Sequence, residues 1–420
     1  MVQNSVQAKG IYPRTLAVRI LTRVLSHHQA LDEAIQEASR DLPPESMGWI
    51  VEVCSGTLRW KGRLDWVLDS VSLRKKPSGW LRKILLVAGY QLIVQDRVNV
   101  GSVVFETVDE IKVKEGEAPA RFANACLRKI ASHAPQWRTL TIEALPDLKQ
   151  SAALASLPEW LWKRLLSQYG ADWVKDYAQA SLSRPTLWLR SRDEEWSADW
   201  VKAGPVPCSW EAIQGGAIVG RPGFQQGEFI AQDISSQFLI SEVSRRVQKD
   251  LGKKAVTVLD LCAAPGGKSV GLAWNGLQVT ATDHSSQRAS LLKESVKRAA
   301  PTIEVIPWSD VEKTEAKELV WVDAPCSGTG ILRRHPDVRW LRKEEEIAGL
   351  KKTQLELLKK GWSKVSSEGF LVYSVCSVLK DEGEEILKEA GLTQSVIERW
   401  SLGPQVFPYG DGFWAALLKR

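Results

Sequence analysis

Apolar positions recur every three or four residues through residues 12–139. RTLAVRILTRVL, LDEAIQEA, WIVEVCSGTLRW, LDWVLDSV, LRKILLVAGYQLIV, VVFETVDEIKV and FANACLRKIA all carry this spacing, which predicts a run of helices. Breaks fall at Leu42-Pro43-Pro44, Lys76-Pro77-Ser78-Gly79 and Glu115-Gly116-Glu117-Ala118-Pro119. No strand alternation interrupts the run, so residues 1–140 are expected to be an all-helical domain and 140–157 a linker. PEWLWKRLLSQYG, with Pro158 near its start, and DWVKDYAQASL predict two more helices. Pro185-Thr186-Leu187-Trp188-Leu189-Arg190 predicts a strand, and Gly215 to Gly227 turns and short strands. From about residue 231 short apolar runs alternate with helices: VTVLDL (256–261), QVTATD (278–283), IEVIPW (303–308), ELVWVDA (318–324) and GFLVYSV (369–375). Repeated βα units of this kind predict a parallel sheet buried on both faces. GFWAALLK (412–419) has strand character with no helix after it and is expected at a sheet edge.

Composition changes this picture little. Apolar residues make up 44% of the 420, enough for real cores, which excludes a disordered chain. Nineteen tryptophans lie mostly in helical segments and read first as packing residues. Charge says more. Residues 1–140 hold 20 Lys and Arg against 14 Asp and Glu, while residues 141–420 hold 36 of each, so the whole excess of +6 lies in the N-terminal third. That asymmetry favours a nucleic-acid contact there through attraction to phosphate. The six cysteines, Cys54, Cys126, Cys208, Cys262, Cys326 and Cys376, have no zinc-knuckle spacing, and the chain is too long for a disulfide scaffold. No metal site is expected. MVQNSVQAKG has no apolar signal core, and no apolar run reaches membrane-spanning length. A cytoplasmic protein with reduced thiols and no membrane partner is expected.

VTVLDLCAAPGGKSVGLAW reads as strand, tight turn and helix, with Pro265-Gly266-Gly267 in the turn. In open α/β sheets, ligands bind beyond the carboxyl ends of the strands, and paired glycines let one approach the backbone. The pattern is neither G-x-G-x-x-G nor a phosphate loop, which points to a nucleoside without phosphates. S-adenosylmethionine fits. Candidate cofactor residues are Cys262, Ala263, Ala264, Pro265, Gly266, Gly267 and Lys268. Asp283, ending the next strand, could accept hydrogen bonds from ribose hydroxyls; Asp310, after the third, could reach the adenine amino group. Asp283 and Asp310 also read as ordinary turn or cap residues.

The fourth strand leads into Val322-Asp323-Ala324-Pro325-Cys326-Ser327-Gly328-Thr329-Gly330, and the fifth into Tyr373-Ser374-Val375-Cys376-Ser377. Both cysteines therefore fall at the cofactor end of the sheet. Free cysteines are usually small buried hydrophobes, the reading given to Cys54, Cys126 and Cys208. Cys326 and Cys376 instead stand in loops of small and polar residues. Thiols there suit methylation at carbon 5 of cytosine, which is too poor a nucleophile to attack a sulfonium unaided. A thiolate added to carbon 6 makes an enamine whose carbon 5 can attack, and a base must then remove the carbon 5 proton so that the thiol can leave. An ordinary thiol is only a few per cent thiolate at neutral pH, so a neighbour must favour the charged form. Asp323 could bond the cytosine ring nitrogen or amino group, and could also touch the cofactor. The target base would be unstacked into a pocket.

These segments resemble the Nop/Sun-type RNA cytosine-5 methyltransferases. Leu259-Asp260-Leu261-Cys262-Ala263-Ala264-Pro265-Gly266-Gly267-Lys268 resembles the family's cofactor loop, and Asp323 to Gly330 its first cysteine motif. Arg333-Arg334-His335-Pro336-Asp337 with Trp340 resembles the segment that follows. Tyr373-Ser374-Val375-Cys376-Ser377 resembles the second cysteine motif, with Val375 where the family usually has Thr. Ala231-Gln232-Asp233 is similar to the lead-in and Gly410-Asp411-Gly412-Phe413-Trp414 to the closing strand. Gly56-Thr57-Leu58-Arg59, Leu64-Asp65 and Phe122 to Arg128 resemble a NusB-like RNA-binding domain. The resemblance implies an α/β Rossmann-like methyltransferase domain with a mostly parallel seven-stranded sheet (231–420). An all-α NusB-like domain (1–140) and a small α+β, RNA-recognition-like linking subdomain (158–230) would precede it. It also implies S-adenosyl-L-methionine as cofactor, RNA as partner, in the bacterial members 16S ribosomal RNA or an assembling small subunit, and a monomer. In the family the thiol at the position of Cys376 attacks carbon 6, and the one at Cys326 assists release. The residues alone leave that assignment open, since DNA cytosine methyltransferases use the Pro-Cys cysteine. Such a DNA enzyme would need a target-recognition insert, for which 331–368 is short and helical. A non-catalytic RNA-binding assembly factor would be expected to lose an acid or a cysteine, and here all are present.

Overall fold

The computed structural model describes residues 13–38, 44–72, 76–142, 147–214, 216–403 and 410–420. The segment MVQNSVQAKG, the Leu42-Pro43 part of the first predicted break, residues 143–146 of the predicted linker and Gly215 lie outside these. The chain divides into two units. One runs to Arg184 and includes Leu332–Glu344; the other comprises Pro185–Ile331 and Glu345–Arg420.

The first unit is helical, with α1 (Pro13–His27), α2 (Leu31–Ala38), α3 (Pro44–Val71), α4 (Gly79–Ile93), α5 (Val100–Glu115), α6 (Glu117–Ser132), α7 (Ala134–Arg138), α8 (Leu148–Leu154), α9 (Glu159–Tyr169) and α10 (Ala171–Leu182). WIVEVCSGTLRW and LDWVLDSV, read as separate segments, form the single helix α3. Part of the expected linker is also ordered. Asp147 accepts hydrogen bonds from Lys149 N and Gln150 N, which starts α8, and Leu154 is buried. The core is aliphatic, with Leu16, Ile20, Leu21, Leu58, Ile84 and Leu127 almost fully buried. A short helix from much later in the chain, α14 (Val338–Leu341), completes this unit, with Arg339 at its centre. Arg339 Nη1 donates to the Arg59 and Ser156 carbonyls, and Nη2 to those of Ser181 and Leu332, at 2.9–3.0 Å. Arg59 in turn donates to the Arg333 carbonyl, and Asp337 accepts from Leu31 N.

The second unit begins with four short antiparallel strands, β1 (Trp188–Ser191), β2 (Val201–Ala203), β3 (Ser209–Ala212) and β4 (Phe229–Ala231), in the order β2-β3-β1-β4. Leu189, Trp200, Val201 and Phe229 form their core. The described part of the glycine-rich stretch holds a 3-10 turn at Ile218–Gly220 and no strand. There follow α11 (Ile234–Leu251), β5 (Thr257–Asp260), α12 (Gly267–Trp274), β6 (Gln278–Ala281), α13 (Ser286–Ala299), β7 (Glu304–Val305), β8 (Lys317–Asp323), α15 (Glu346–Ser363), β9 (Val365–Val375), α16 (Glu384–Glu389), β10 (Val396–Leu402) and β11 (Phe413–Lys419). Seven of these strands make one sheet, ordered β10-β11-β9-β8-β5-β6-β7. The five from β7 to β9 are parallel, and β11 runs antiparallel to both its neighbours. Apolar clusters cover both faces, one around Val258, Trp321 and Val372, the other around Leu259, Val320 and Tyr373. This is the Rossmann-like, mostly parallel seven-stranded sheet that the sequence predicts.

Two details differ. The predicted edge strand 412–419 is interior: β11 is paired on one side with β9 and on the other with β10, which is the edge. Its run of buried residues, Phe413 through Leu418, reflects that double pairing. IEVIPW pairs only at Glu304–Val305, since Pro307 has no N–H for a ladder and Trp308 opens a 3-10 turn.

Candidate active site

Parallel register brings the two cysteine motifs together. Asp323, the last residue of β8, lies opposite Ser374 of β9, and Ala324 N donates to the Ser374 carbonyl. Both chains then turn off the carboxyl end of the sheet, and Cys326 Sγ and Cys376 Sγ stand 3.2 Å apart. Gly330 N donates to the Cys376 carbonyl, and Gly412 N to the Gly330 carbonyl, so the closing strand joins the same knot. Both cysteines are half-buried.

The surroundings of the two thiols differ. Lys268 Nζ donates to Asp323 Oδ2 at 2.6 Å, and Ser374 Oγ donates to Asp323 Oδ1 at 2.7 Å. Burial alone would lower the Lys268 ammonium, but the Asp323 carboxylate outweighs it, with Cys376 adding to the effect, and the pKa is raised. A cation is thereby fixed on the Cys376 side. Cys326 is pushed well above the ordinary thiol range, first by its hydrogen bond with Cys376, then by burial, then by the charges of Cys376 and Glu382. These neighbours favour the protonated form of Cys326.

A cleft in front of Cys376 is lined by Lys268, Asp323, Ser374, Asp233, Asp411 and Phe413, among others. Asp233 and Asp411 come from motifs 178 residues apart: Asp233 Oδ1 accepts from Asp411 N, and also caps α11 through Ser235 N. A larger cavity of about 550 Å³ lies beside β5 and β6, walled by Cys262, Asp283, His284, Arg288, Trp308 and Pro325. Its size is ordinary for a cofactor-sized ligand. Asp283 is held by Ser285 N and Ala264 N, and His284 meets Trp308 edge to face.

Ala263, Ala264, Pro265, Gly266 and Gly267 form the turn that leads from β5 into α12, between Cys262, which lines the cavity, and Lys268, which lines the cleft. Gly266 has φ +111°, a conformation that favours glycine, and Gln232 Nε2 donates to the Gly267 carbonyl. Cys262 and Asp283 therefore face the cavity, while Lys268 and Asp323 face the cleft with Cys376. Asp310 stands apart: it pairs with Lys313 at 2.8 Å on a 3-10 turn, and Trp308 rather than Asp310 walls the cavity. Burial pushes the Cys262 thiol up, as it does Cys54. Cys126 is buried as expected; Cys208 is not, lying half-exposed at a turn with φ +60°. Arg288, His284, Glu382 and Gln354 were not singled out in the sequence, because a charged or amide residue in a helix or loop reads as a solvated position.

Residues 252–405 match the family described as 16S rRNA methyltransferase RsmB/F, and residues 12–132 match the NusB family. Ribosomal RNA small subunit methyltransferase B of Erwinia tasmaniensis is 29% identical over 440 positions, covering 97% of this chain and 98% of that protein. The protein of the same name in Yersinia pestis is 28% identical over 442 positions with the same coverage. Among solved structures, PH0851 aligns over 98% of this chain and 99% of its own with a TM-score of 0.71 and 21% identity. NSun6 from Pyrococcus horikoshii aligns over 62% of this chain and 98% of its own, with a TM-score of 0.53 and 15% identity. These two likenesses concern the fold. With the sheet and the helical unit in the expected places, the chain carries an RsmB/F-type methyltransferase region at 252–405 behind a NusB-family region at 12–132, and over nearly its whole length it is similar to ribosomal RNA small subunit methyltransferase B.

Proposed function

We propose that this protein transfers a methyl group from S-adenosylmethionine to carbon 5 of a cytidine in small-subunit ribosomal RNA, with Cys376 as nucleophile and Cys326 assisting release. The observation that carries the reading is the pair of thiols 3.2 Å apart, with a lysine–aspartate pair in the same cleft. The substrate class follows from what the 29% and 28% identical relatives are called and from the basic excess of residues 1–140.

The cavity suits the cofactor on chemical grounds. It offers an aromatic wall in Trp308, and in Asp283 a buried carboxylate beside the glycine turn, where ribose hydroxyls could donate. When bound, the cofactor supplies an electrophilic methyl group. The residues of the chain do the rest. Lys268 favours negative charge in the cleft, and the Cys376 thiolate adds to carbon 6 of the flipped-out base. Asp323, oriented by Ser374 and Lys268, accepts from the cytosine amino group and holds the ring. Carbon 5 takes the methyl group, a base removes its proton, and the carbon–sulfur bond breaks with its electrons returning to Cys376 sulfur. Cys326, in contact with that sulfur, is placed to assist this last step by sharing its proton.

The test is to incubate the protein with small-subunit ribosomal RNA and S-adenosylmethionine labelled on the methyl group, then digest the RNA to nucleosides. Label in 5-methylcytidine is expected. Label in another nucleoside, or none in either naked RNA or subunits, overturns the proposal.

A further inference from the structure

Glu382 lies on a 3-10 turn beyond Cys376, in the charged run Lys380-Asp381-Glu382, yet its side chain is fully buried. A buried carboxylate needs donors. Its donors come from the Cys326 loop and its support: Ser327 N at 2.8 Å, Ser327 Oγ at 2.5 Å and Gln354 Nε2 at 3.0 Å. Gln354 Nε2 also donates to the Pro325 carbonyl. Both peptide neighbours of Cys326 are thus tied to one carboxylate and its amide partner. Ser327 Oγ lies 3.1 Å from Ser377 Oγ, which in turn contacts Thr329 Oγ1 and accepts from Leu379 N. The same network therefore fixes the residue after Cys376. Tyr373 Oη donates to the Glu382 carbonyl and locks the turn itself.

We propose that Glu382 is the positioning residue that decides which of the two thiols carries negative charge, by clamping the Cys326 loop and setting a fixed carboxylate against it. This rests on the reading of Cys376 as nucleophile. A carboxylate beside Cys326 disfavours a second anion there. The titratable groups around the pair are Glu382 and Tyr373 on the Cys326 side, and on the Cys376 side Lys268 with Asp323, together with Asp233 and Asp411 of the cleft wall, of which Asp233 is engaged by Asp411 N and Ser235 N. The Gly328 N–H pulls Cys326 the other way. Charge is therefore driven from Cys326 toward Cys376, across a 3.2 Å contact that the Ser327–Ser377 bridge maintains.

The thiols can be read directly, without RNA. The full-length protein is treated with limiting iodoacetamide between pH 6 and 9, and alkylation at each cysteine is followed by peptide mass spectrometry. In the wild type Cys376 is expected to react first. Glu382→Gln, which keeps the shape and removes the charge, is expected to reduce the Cys376:Cys326 rate ratio by about tenfold, one pKa unit of preference. Glu382→Asp should restore part of it. Ser327→Ala, which loosens the clamp and keeps the charge, should change the ratio by less than about threefold, since loss of one hydroxyl contact leaves the like-charge effect in place. A folded Glu382→Gln protein with the wild-type ratio overturns the proposal. So does a wild type in which Cys326 reacts first, whether or not the variant folds. If the wild type shows the preference but makes no 5-methylcytidine, the functional reading fails and the thiol bias stands.

Discussion

Asp260, the last residue of β5, is fully buried beside the glycine turn, and its carboxyl group is pushed up to about 7 from 3.8. Burial is the main cause; the Ser269 hydroxyl, donating to Oδ2 at 2.6 Å, opposes it, and the charge of Asp323 adds to it. Among the described residues Oδ1 has no hydrogen-bond partner. The group binds its proton more tightly folded than unfolded. The stability linked to it is therefore whole below pH 4 and is lost as pH rises through 7. At about 1.4 kcal/mol per pKa unit, the loss by pH 8 is about 4 kcal/mol, of which roughly a third has gone at pH 5. Asp260→Asn keeps an acceptor for Ser269 and removes the titration. Relative to wild type it should therefore gain about 3 kcal/mol more at pH 8 than at pH 5. For a domain of this size that is a relative rise in melting temperature on the order of 5–10 °C. Calorimetric scans of both proteins at the two pH values measure it. A difference between variant and wild type that is the same at pH 5 and pH 8 would refute the reasoning.

Two further substitutions probe other parts of the frame. Arg339→Met removes the donor shared by four buried carbonyls in the helical unit and should cost about 4 kcal/mol, read as a lowered urea midpoint; a loss under about 1 kcal/mol would contradict the role given to this residue. Gly330→Ala would place a methyl group 1.8 Å from the Gly412 carbonyl oxygen and 2.9 Å from that of Cys376. It should shift the Cys376 loop and reduce methyl transfer by at least about a hundredfold while leaving the melting temperature of the helical unit alone, as expected when a small displacement spoils reacting geometry.

Much of this was legible in the chain because local rules and tertiary structure agree. Helical periodicity, the βα alternation and the two loops after β8 and β9 follow from patterns that a short window contains. What escaped depended on partners far away. VIERWSL reads as a mixed polar segment, yet it pairs as edge strand β10, where one side needs no burial. The position of β11 between β9 and β10 is a topological choice that chain order does not state. Glu382 sits in a run of charges that looks solvated, and only the fold shows that Ser327 and Gln354 receive it. The shortness of β7, which ends at Val305, was likewise not legible, nor was the turn that pairs Asp310 with Lys313.

The most direct test of the central claim concerns the covalent bond. Cys326→Ser should stop release and leave RNA attached to the protein through denaturing gels, and the peptide carrying the cytidine should contain Cys376. Cys376→Ser should yield neither adduct nor product. An adduct on Cys326 in the Cys376→Ser protein, with none on Cys376 in the reciprocal variant, would contradict the account.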